Sequence, residues 1–388
     1  MRDKSFLIIS PRYPNQNGKG DQLVLYHRIK CLADHGASIK LIVFSAKSEP
    51  LPESLSNYIN LEVLWIQHGP FQVLLSIVFT SVSLLPIELR LFQNIQLSKR
   101  IKNILRKNPH YIILFFTLRS WQYIVFPPPT NYFLDLIDSY ALNYSRRKTP
   151  LFLLPFNLLQ SRLYMYTERM LARSSRASFV VSHIDQNFVD IPQISVISNG
   201  VLIPTETIHP MSLSSPAGST SLGFIGNLSY RPNKVSIKRF ATNVFSKVLL
   251  RNNSTILYIA GNNCKGLHLS QFQNIKMLGR VKCQFEFLAA VDIVIVPMYE
   301  GSGMQNKLLE AMALGKSIVT TNIAAEPLKL KNYKHALIAS TDDELAEYVL
   351  LLIEDFKLRS FLGFNAKKLS EQKYTWDKSY DKLISHMS

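Results

Sequence analysis

Two doubly wound, Rossmann-like α/β domains facing each other across a cleft are predicted from three features of this chain. Short apolar, β-branched runs alternate with segments of helical period along most of its length. That alternation occurs twice, and a stretch rich in Pro, Ser, Thr and Gly at 204–221 separates the two series. A length of 388 residues suits two domains.

The first series opens with strand-like runs at 6–10 and 39–44, which flank a helical pattern over 23–35. Runs at 111–116, 132–137 and 177–181 continue it, and 194–197 ends it at Ser198-Asn199-Gly200. The second series reads 222–225, 255–259, 275–278, 293–296, 318–320 and 336–339. Strands alternating with helices imply parallel sheets with crossover connections, so ligands are expected outside the carboxyl ends of the strands. The domains are placed at 1–203 and 222–372, joined by 204–221 and followed by a closing segment, 373–388.

The most distinctive stretch is 299–320, Y-E-G-S-G-M-Q-N-K-L-L-E-A-M-A-L-G-K-S-I-V-T. A buried strand pattern precedes it, and a helix pattern begins near Asn306 and stops at Gly315. Gly301 and Gly303 allow the backbone to approach a ligand closely, and the N–H groups of a helix start favour anions, phosphate above all. Lys307 and Glu310 are three apart and share a helix face. A cation there can neutralise a phosphate, and a carboxylate can accept hydrogen bonds from ribose hydroxyls. The plainer alternative is a surface ion pair on an ordinary helix.

With 47% hydrophobic and 18% charged residues, the chain can bury real cores and is not of the disordered class. Cys31, Cys264 and Cys283 show no metal-like spacing and suit a reducing cytoplasm. The apolar run before Pro11 reads as a first strand, too short for a signal-peptide core.

The formal net charge is +17, which points to anionic partners. Basic residues gather at Lys99, Arg100, Lys102, Arg106 and Lys107, on a helical pattern carrying Ile95, Leu97, Ile101, Ile104 and Leu105, and again at Arg146, Arg147 and Lys148. The first cluster makes a basic amphipathic helix suited to a membrane surface. Segment 71–86 is almost wholly apolar but shorter than the roughly 20 residues that span a bilayer, so it reads as a core helix or as one lying in a membrane interface. The aromatic–basic interleaving of nucleic-acid stacking surfaces is lacking, and no nucleic-acid partner is expected.

These motifs, in their order and spacing, resemble the two-domain retaining glycosyltransferases of the GT-B fold, the group 1 or family 4 class. The resemblance covers nearly the whole chain. It is strongest at G-S-G-M-Q-N-K-L-L-E-A-M-A-L-G, residues 301–315, similar to that family's donor-binding loop and helix. F-I-G-N-L-S-Y-R-P-N at 224–233, G-R-V at 279–281 before F-L-A-A, and I-S-N-G-V at 197–201 match as well. S-P-R-Y-P at 10–14 with G-K-G-D at 18–21 is like the subgroup that makes bacterial surface polysaccharides. The last segment, from Tyr374 and Trp376 onward, resembles the family's closing helix, which crosses back to the first domain.

The resemblance implies that Glu310 binds the nucleotide ribose. Lys307, Asn306 and the backbone of Ser302, Gly303 and Met304 would lie near the pyrophosphate and donor sugar. Two departures stand out. The family's second acidic residue belongs eight positions before Glu310, where this chain has Ser302, and Glu300 lies ten before. In the loop after Gly226, Asn227 replaces an arginine and the usual lysine position falls near Pro232, so Arg231 and Lys234 are the nearest cations able to supply that charge.

On the acceptor side, Gly18, Lys19 and Gly20 form a loop expected to face the cleft. The candidate catalytic carboxylates are Asp138, Glu300 and Asp21. Each has a structural alternative: a turn at Asp138-Ser139, a loop cap at Glu300, and a helix N-cap at Asp21. No D-x-D element ends a strand, since two residues separate Asp135 from Asp138. Metal-independent catalysis without a resident cofactor is expected, with fixed cations and helix N–H groups stabilising the leaving diphosphate.

The resemblance implies transfer of a sugar, with retention, from a nucleotide diphosphate donor to a growing glycan or lipid-linked acceptor. The enzyme is expected in the cytoplasm, peripheral at the inner face of an anionic membrane. A nucleotide-sugar epimerase on the same fold and a non-enzymatic basic binding module are the alternatives.

Overall fold

The computed structural model describes residues 4–18, 20–45, 49–65, 85–91, 95–123, 131–267, 269 and 272–387. Lys19 and residues 71–84 of the apolar segment lie outside the described residues. The chain divides into two units, Met1–Ser198 with Tyr380–Ser388, and Asn199–Ser379.

The first unit holds strands β1 (Ser5–Ser10), β2 (Ser38–Ser45), β3 (Ile59–Trp65), β4 (Ile112–Phe116), β5 (Tyr132–Ile137), β6 (Ala177–Val180) and β7 (Ile194–Val196). They form one parallel sheet in the order β3-β2-β1-β4-β5-β6-β7. β1 and β4 are continuous apolar runs buried almost throughout, the pattern of strands covered on both faces. Edge strand β3 was not among the runs expected from sequence. Its Ile59, Leu61 and Val63 alternate with Asn60 and Glu62 in the period of a strand with one wetter face. Glu62 pairs there with Lys40 at 3.1 Å and Arg100 at 2.6 Å.

The basic helix forms as Ile95–Lys107, but its apolar face turns inward: Ile101 is fully buried, and Ile104 and Leu105 pack on the core. These described apolar residues face the core, while Lys99, Arg100, Lys102, Arg106 and Lys107 are exposed. Among the described residues no helix is long and apolar enough to cross a membrane.

The second unit holds β8 (Ser221–Ile225), β9 (Ile256–Ala260), β10 (Ile275–Gly279), β11 (Ile293–Val296), β12 (Ser317–Thr321) and β13 (Leu337–Ala339). Their parallel order is β10-β9-β8-β11-β12-β13. Residues 204–220 form neither helix nor strand and are tied to this unit, Tyr258 donating from its hydroxyl to Ser214 O at 2.8 Å.

Each sheet starts at one strand and grows first one way, then the other. The order reverses between β1 and β4 in the first unit and between β8 and β11 in the second. Loops leaving adjacent strands diverge at such a reversal and open a crevice. The loops that follow β8 and β11 carry Gly226 and the Gly301–Gly303 turn.

Candidate functional site

After β11 the chain turns through Gly301 and Gly303, with φ of 112° and 71°. These left-handed values favour glycine. Helix Asn306–Ala313 starts immediately afterwards, and the side chain of Gln305 does not cap it. Its first N–H groups point out of the helix start and suit an anion.

Lys307 and Glu310 are both buried, so the surface ion-pair alternative is overturned. Burial pulls the Lys307 ammonium down to about 7, with Glu310 opposing. It pushes the Glu310 carboxyl up to about 7, with Lys307 opposing. Gln284 Nε2 donates to Glu310 Oε1 at 2.7 Å and fixes that carboxylate. Asn199 Nδ2 donates to Asn306 Oδ1 at 2.8 Å at the helix start.

Across the strand reversal, helix Arg231–Arg239 completes the site. Lys307 Nζ donates to Asn233 Oδ1 at 2.6 Å and lies 4.5 Å from the Phe224 ring centroid. Asn233 Nδ2 in turn donates to Asn227 O at 3.0 Å, which ties the loop after β8 to the lysine. A Cβ on Gly226 would stand 3.3 Å from Lys307 Nζ. Two residues before Asn233, Arg231 pairs with Glu300 at 3.0 Å. Glu300 is buried while Arg231 is 46% exposed, so the guanidinium keeps a face toward solvent.

Glycine is required at 261 for a packing reason. Its φ is 139°, and a Cβ there would come within 1.8 Å of Gly226 O. The two backbones touch, and Gly226 N donates to Ala260 O at 3.1 Å.

The structure therefore gathers Gly226, Asn227, Arg231, Glu300, Asn306, Lys307 and Glu310 around one strand reversal. Ser302 and Met304 are buried in the connecting turn. Lys234 is exposed on the helix that carries Arg231. The contacts made by Asn233, Gln284 and Asn199 were not foreseen. Single amides carry no spacing signal, and only the fold brings Asn233 to Lys307, Gln284 to Glu310 and Asn199 to Asn306.

In the first unit Asp21 does not cap the helix, which already begins at Gly20 (Gly20–Asp34). It pairs instead with Arg12 Nε at 3.0 Å, because Arg12 leaves β1 beside that first turn. Gly18 fits only as glycine, since a Cβ would meet Asn15 and Gln22 side chains at 2.9 Å. Asp138 follows β5 at a sharp backbone break, where Ile137 has φ of 64°. A β-branched residue in that region is strained. Ser139 anchors the turn: it caps helix Tyr140–Ser145, and its hydroxyl donates to buried Glu168 at 2.8 Å. Burial raises the Glu168 carboxyl to about 8, with these hydrogen bonds opposing. Both readings of Asp138, turn residue and acceptor-side carboxylate, fit this placement.

The family model of the Glycosyl transferases group 1 matches residues 219–355, the span that builds this site. Residues 219–355 are a group 1 glycosyltransferase domain. An uncharacterized glycosyltransferase of Methanocaldococcus jannaschii is 31% identical to the chain over 115 residues, 27% of this chain and 29% of that protein. The N,N'-diacetylbacillosaminyl-diphospho-undecaprenol alpha-1,3-N-acetylgalactosaminyltransferase of Campylobacter jejuni is 28% identical over 156 residues, 37% of this chain and 41% of that one. The chain thus spans less than half the length of these relatives. A solved structure of S. aureus TarM, holding UDP and alpha-GlcNAc-glycerol, superposes with a TM-score of 0.70 at 10% identity, covering 99% of this chain and all of that one. The fold is the GT-B fold, two Rossmann-like units with parallel sheets of seven and six strands.

Proposed function

We propose that this group 1 glycosyltransferase moves a sugar from a nucleotide diphosphate donor to a hydroxyl of a glycan or lipid-linked acceptor in polysaccharide biosynthesis, with retention at the anomeric carbon. One observation carries the donor reading: a lysine and a glutamate, both buried on one helix beside a double-glycine turn, with Arg231 at the same strand reversal. Burying two charged groups is costly, and a ligand that needs both a cation and a hydrogen-bond acceptor accounts for their presence. TarM was solved with UDP, and the Campylobacter protein is named for transfer to a diphospho-undecaprenol acceptor. The first favours a nucleotide donor here, and the second a lipid-linked acceptor.

In this reading Glu310, held by Gln284, accepts from the ribose hydroxyls. Lys307, Arg231 and the N–H groups of the Asn306–Ala313 helix face the diphosphate. As the bond from the anomeric carbon to the diphosphate oxygen breaks, its electron pair leaves with the diphosphate, and these groups stabilise the growing charge without a metal ion or resident cofactor. Glu300 holds Arg231 in place. The first unit takes the acceptor through its Gly18 and Gly20 loop, and Asp138 receives the proton of the attacking hydroxyl. The acceptor would be met at the cytoplasmic face of an anionic membrane.

Nucleotide sugars with uridine, guanosine and other bases should be screened for protection against thermal unfolding, since a ligand of the native state raises Tm by mass action. Glu310→Ala is expected to abolish that protection, and retained affinity would overturn the donor site. Turnover of the nucleotide sugar alone, with no acceptor, would indicate the epimerase instead.

A further inference from the structure

The outer surface of the first unit carries a helix built inside out. Helix Leu154–Ser174 follows a short 3-10 turn, Leu151–Leu153. Its opening turns bury Asn157, Gln160 and Ser161 and expose Leu154, Phe156, Leu158 and Leu159. The turn before it is still more exposed, Leu151 at 83% and Phe152 at 79%. A helix on a water-facing surface buries its apolar stripe and shows its polar one. Here the polar residues have interior partners: Asn157 Nδ2 donates to Thr149 Oγ1 at 2.8 Å, Ser161 Oγ to Ala141 O at 2.9 Å, and Gln160 Oε1 accepts from Ile87 N at 3.0 Å. The arrangement is therefore fixed, and the apolar side is the one presented outward.

Charge identifies what that side meets. Between Asp138 and Glu168 the sequence has Arg146, Arg147, Lys148 and Arg162 and no acidic residue, and Glu168 itself is buried. Exposed apolar side chains flanked along the chain by these cations suit a surface that is anionic outside and apolar beneath. Glu88, which accepts from the Tyr144 hydroxyl at 3.2 Å, is paired with Arg119 at 2.7 Å. Lys148 and Arg162 are exposed, and Arg147 stacks 3.6 Å from the Tyr144 ring centroid. The helix carries Arg162, Arg169 and Arg173, so it can lie in an interface and cannot cross.

We propose that the surface formed by Leu151, Phe152, Leu154, Phe156, Leu158 and Leu159 inserts into an anionic lipid bilayer, with Arg146, Arg147, Lys148 and Arg162 on its headgroups. This gives the membrane contact of the proposed function a specific surface, distinct from the Ile95–Lys107 helix, and it does not depend on the donor site.

The test is co-sedimentation of the full chain with phosphatidylglycerol-containing and with pure phosphatidylcholine vesicles. The wild type should bind the anionic vesicles, and more weakly as salt rises. L151S/F152S/F156S should lose binding about tenfold or more at every salt concentration. R146Q/R147Q/K148Q/R162Q should bind both vesicle types equally weakly. A cooperative thermal transition and an unchanged far-ultraviolet circular dichroism spectrum show that each variant is folded, whatever the outcome for the donor reading. Unchanged vesicle binding by the serine variant overturns the proposal. So does concentration-dependent self-association that the serine substitutions abolish, without vesicle binding, because a second copy would then be the occupant. Loss of binding only on neutralising Lys99, Arg100, Lys102, Arg106 and Lys107 would also overturn it.

Discussion

Lys307 and Glu310 lie one turn apart on a single helix, both buried, and burial drives their pKa values toward each other, to about 7 in each case. Such a pair lowers stability in exchange for readiness to bind. Replacing the pair together, Lys307→Met with Glu310→Leu, is expected to raise stability at pH 7 by about 1–4 kcal/mol, as apolar replacements of buried charge pairs do, and to remove nucleotide binding. The folded pKa of this lysine lies below its ordinary 10.5. Its cost is therefore fully present below about pH 7 and vanishes as pH rises toward 10.5. Calorimetric Tm measured across that range should show the gain shrinking with pH. A variant less stable than wild type at pH 6 would refute the assignment.

Arg231 and Glu300 are expected to be coupled. Arg231→Ala leaves the buried Glu300 carboxylate without its guanidinium and should lower Tm. Adding Glu300→Gln should recover much of the loss while transfer stays slow, because one of the two cations that face the diphosphate is still missing. A double-mutant cycle should give about 0.5–3 kcal/mol of coupling. Simple additivity in the unfolding data would mean that the two residues act separately.

Arg28 and Asp135 form a wholly buried pair at 2.9 Å, and Arg28 also donates to Ile197 O at 2.9 Å. Arg28→Ala should cost about 3–5 kcal/mol in urea unfolding, since it strands the Asp135 carboxylate. Asp135 Oδ1 also accepts from Ile137 N at 3.1 Å, so this charge helps hold the strained turn that presents Asp138. Transfer rate should fall while nucleotide protection persists. A loss below about 1 kcal/mol would show that the pair is solvated in practice.

Much of this architecture could be read from the chain because parallel strands are written as continuous apolar runs. β5 and β11 stand where the pattern put them, at Tyr132–Ile137 and Ile293–Val296. β3 was missed because an edge strand alternates, and the motif that led to the donor helix gives no hint of an edge. Lys307 and Glu310 were legible because helical spacing and a glycine turn act locally. The links from Arg28 to Asp135, Lys307 to Asn233 and Glu310 to Gln284 were not, since each spans 26 to 107 residues and exists only through strand order. The outward leucines at 151–159 were equally hidden: an apolar helix reads as core until its polar residues are seen with interior partners.

Gly261→Ala tests whether the two glycine backbones position the lysine. A Cβ at 261 would stand 1.8 Å from Gly226 O, and φ at this position is 139°. The clash cannot be relieved by a rotating side chain, because both atoms belong to fixed chain: Gly226 N is bonded to Ala260 O and Leu228 N to Asn262 O. The loop after β8 must move, and with it Asn227 O, which orients Asn233 against Lys307. Strain of this kind costs about 1–3 kcal/mol. Nucleotide affinity should fall by more than the stability loss alone would produce, because Gly226 faces Lys307 Nζ. Gly218→Ala is the control: its φ is 79° but nothing lies within 4 Å of the added carbon, so it strains the backbone without touching the site. Isothermal titration should find Gly218→Ala near wild type and Gly261→Ala weakened about tenfold or more, whereas equal affinities would show that the contact between Gly226 and Gly261 is a matter of packing alone.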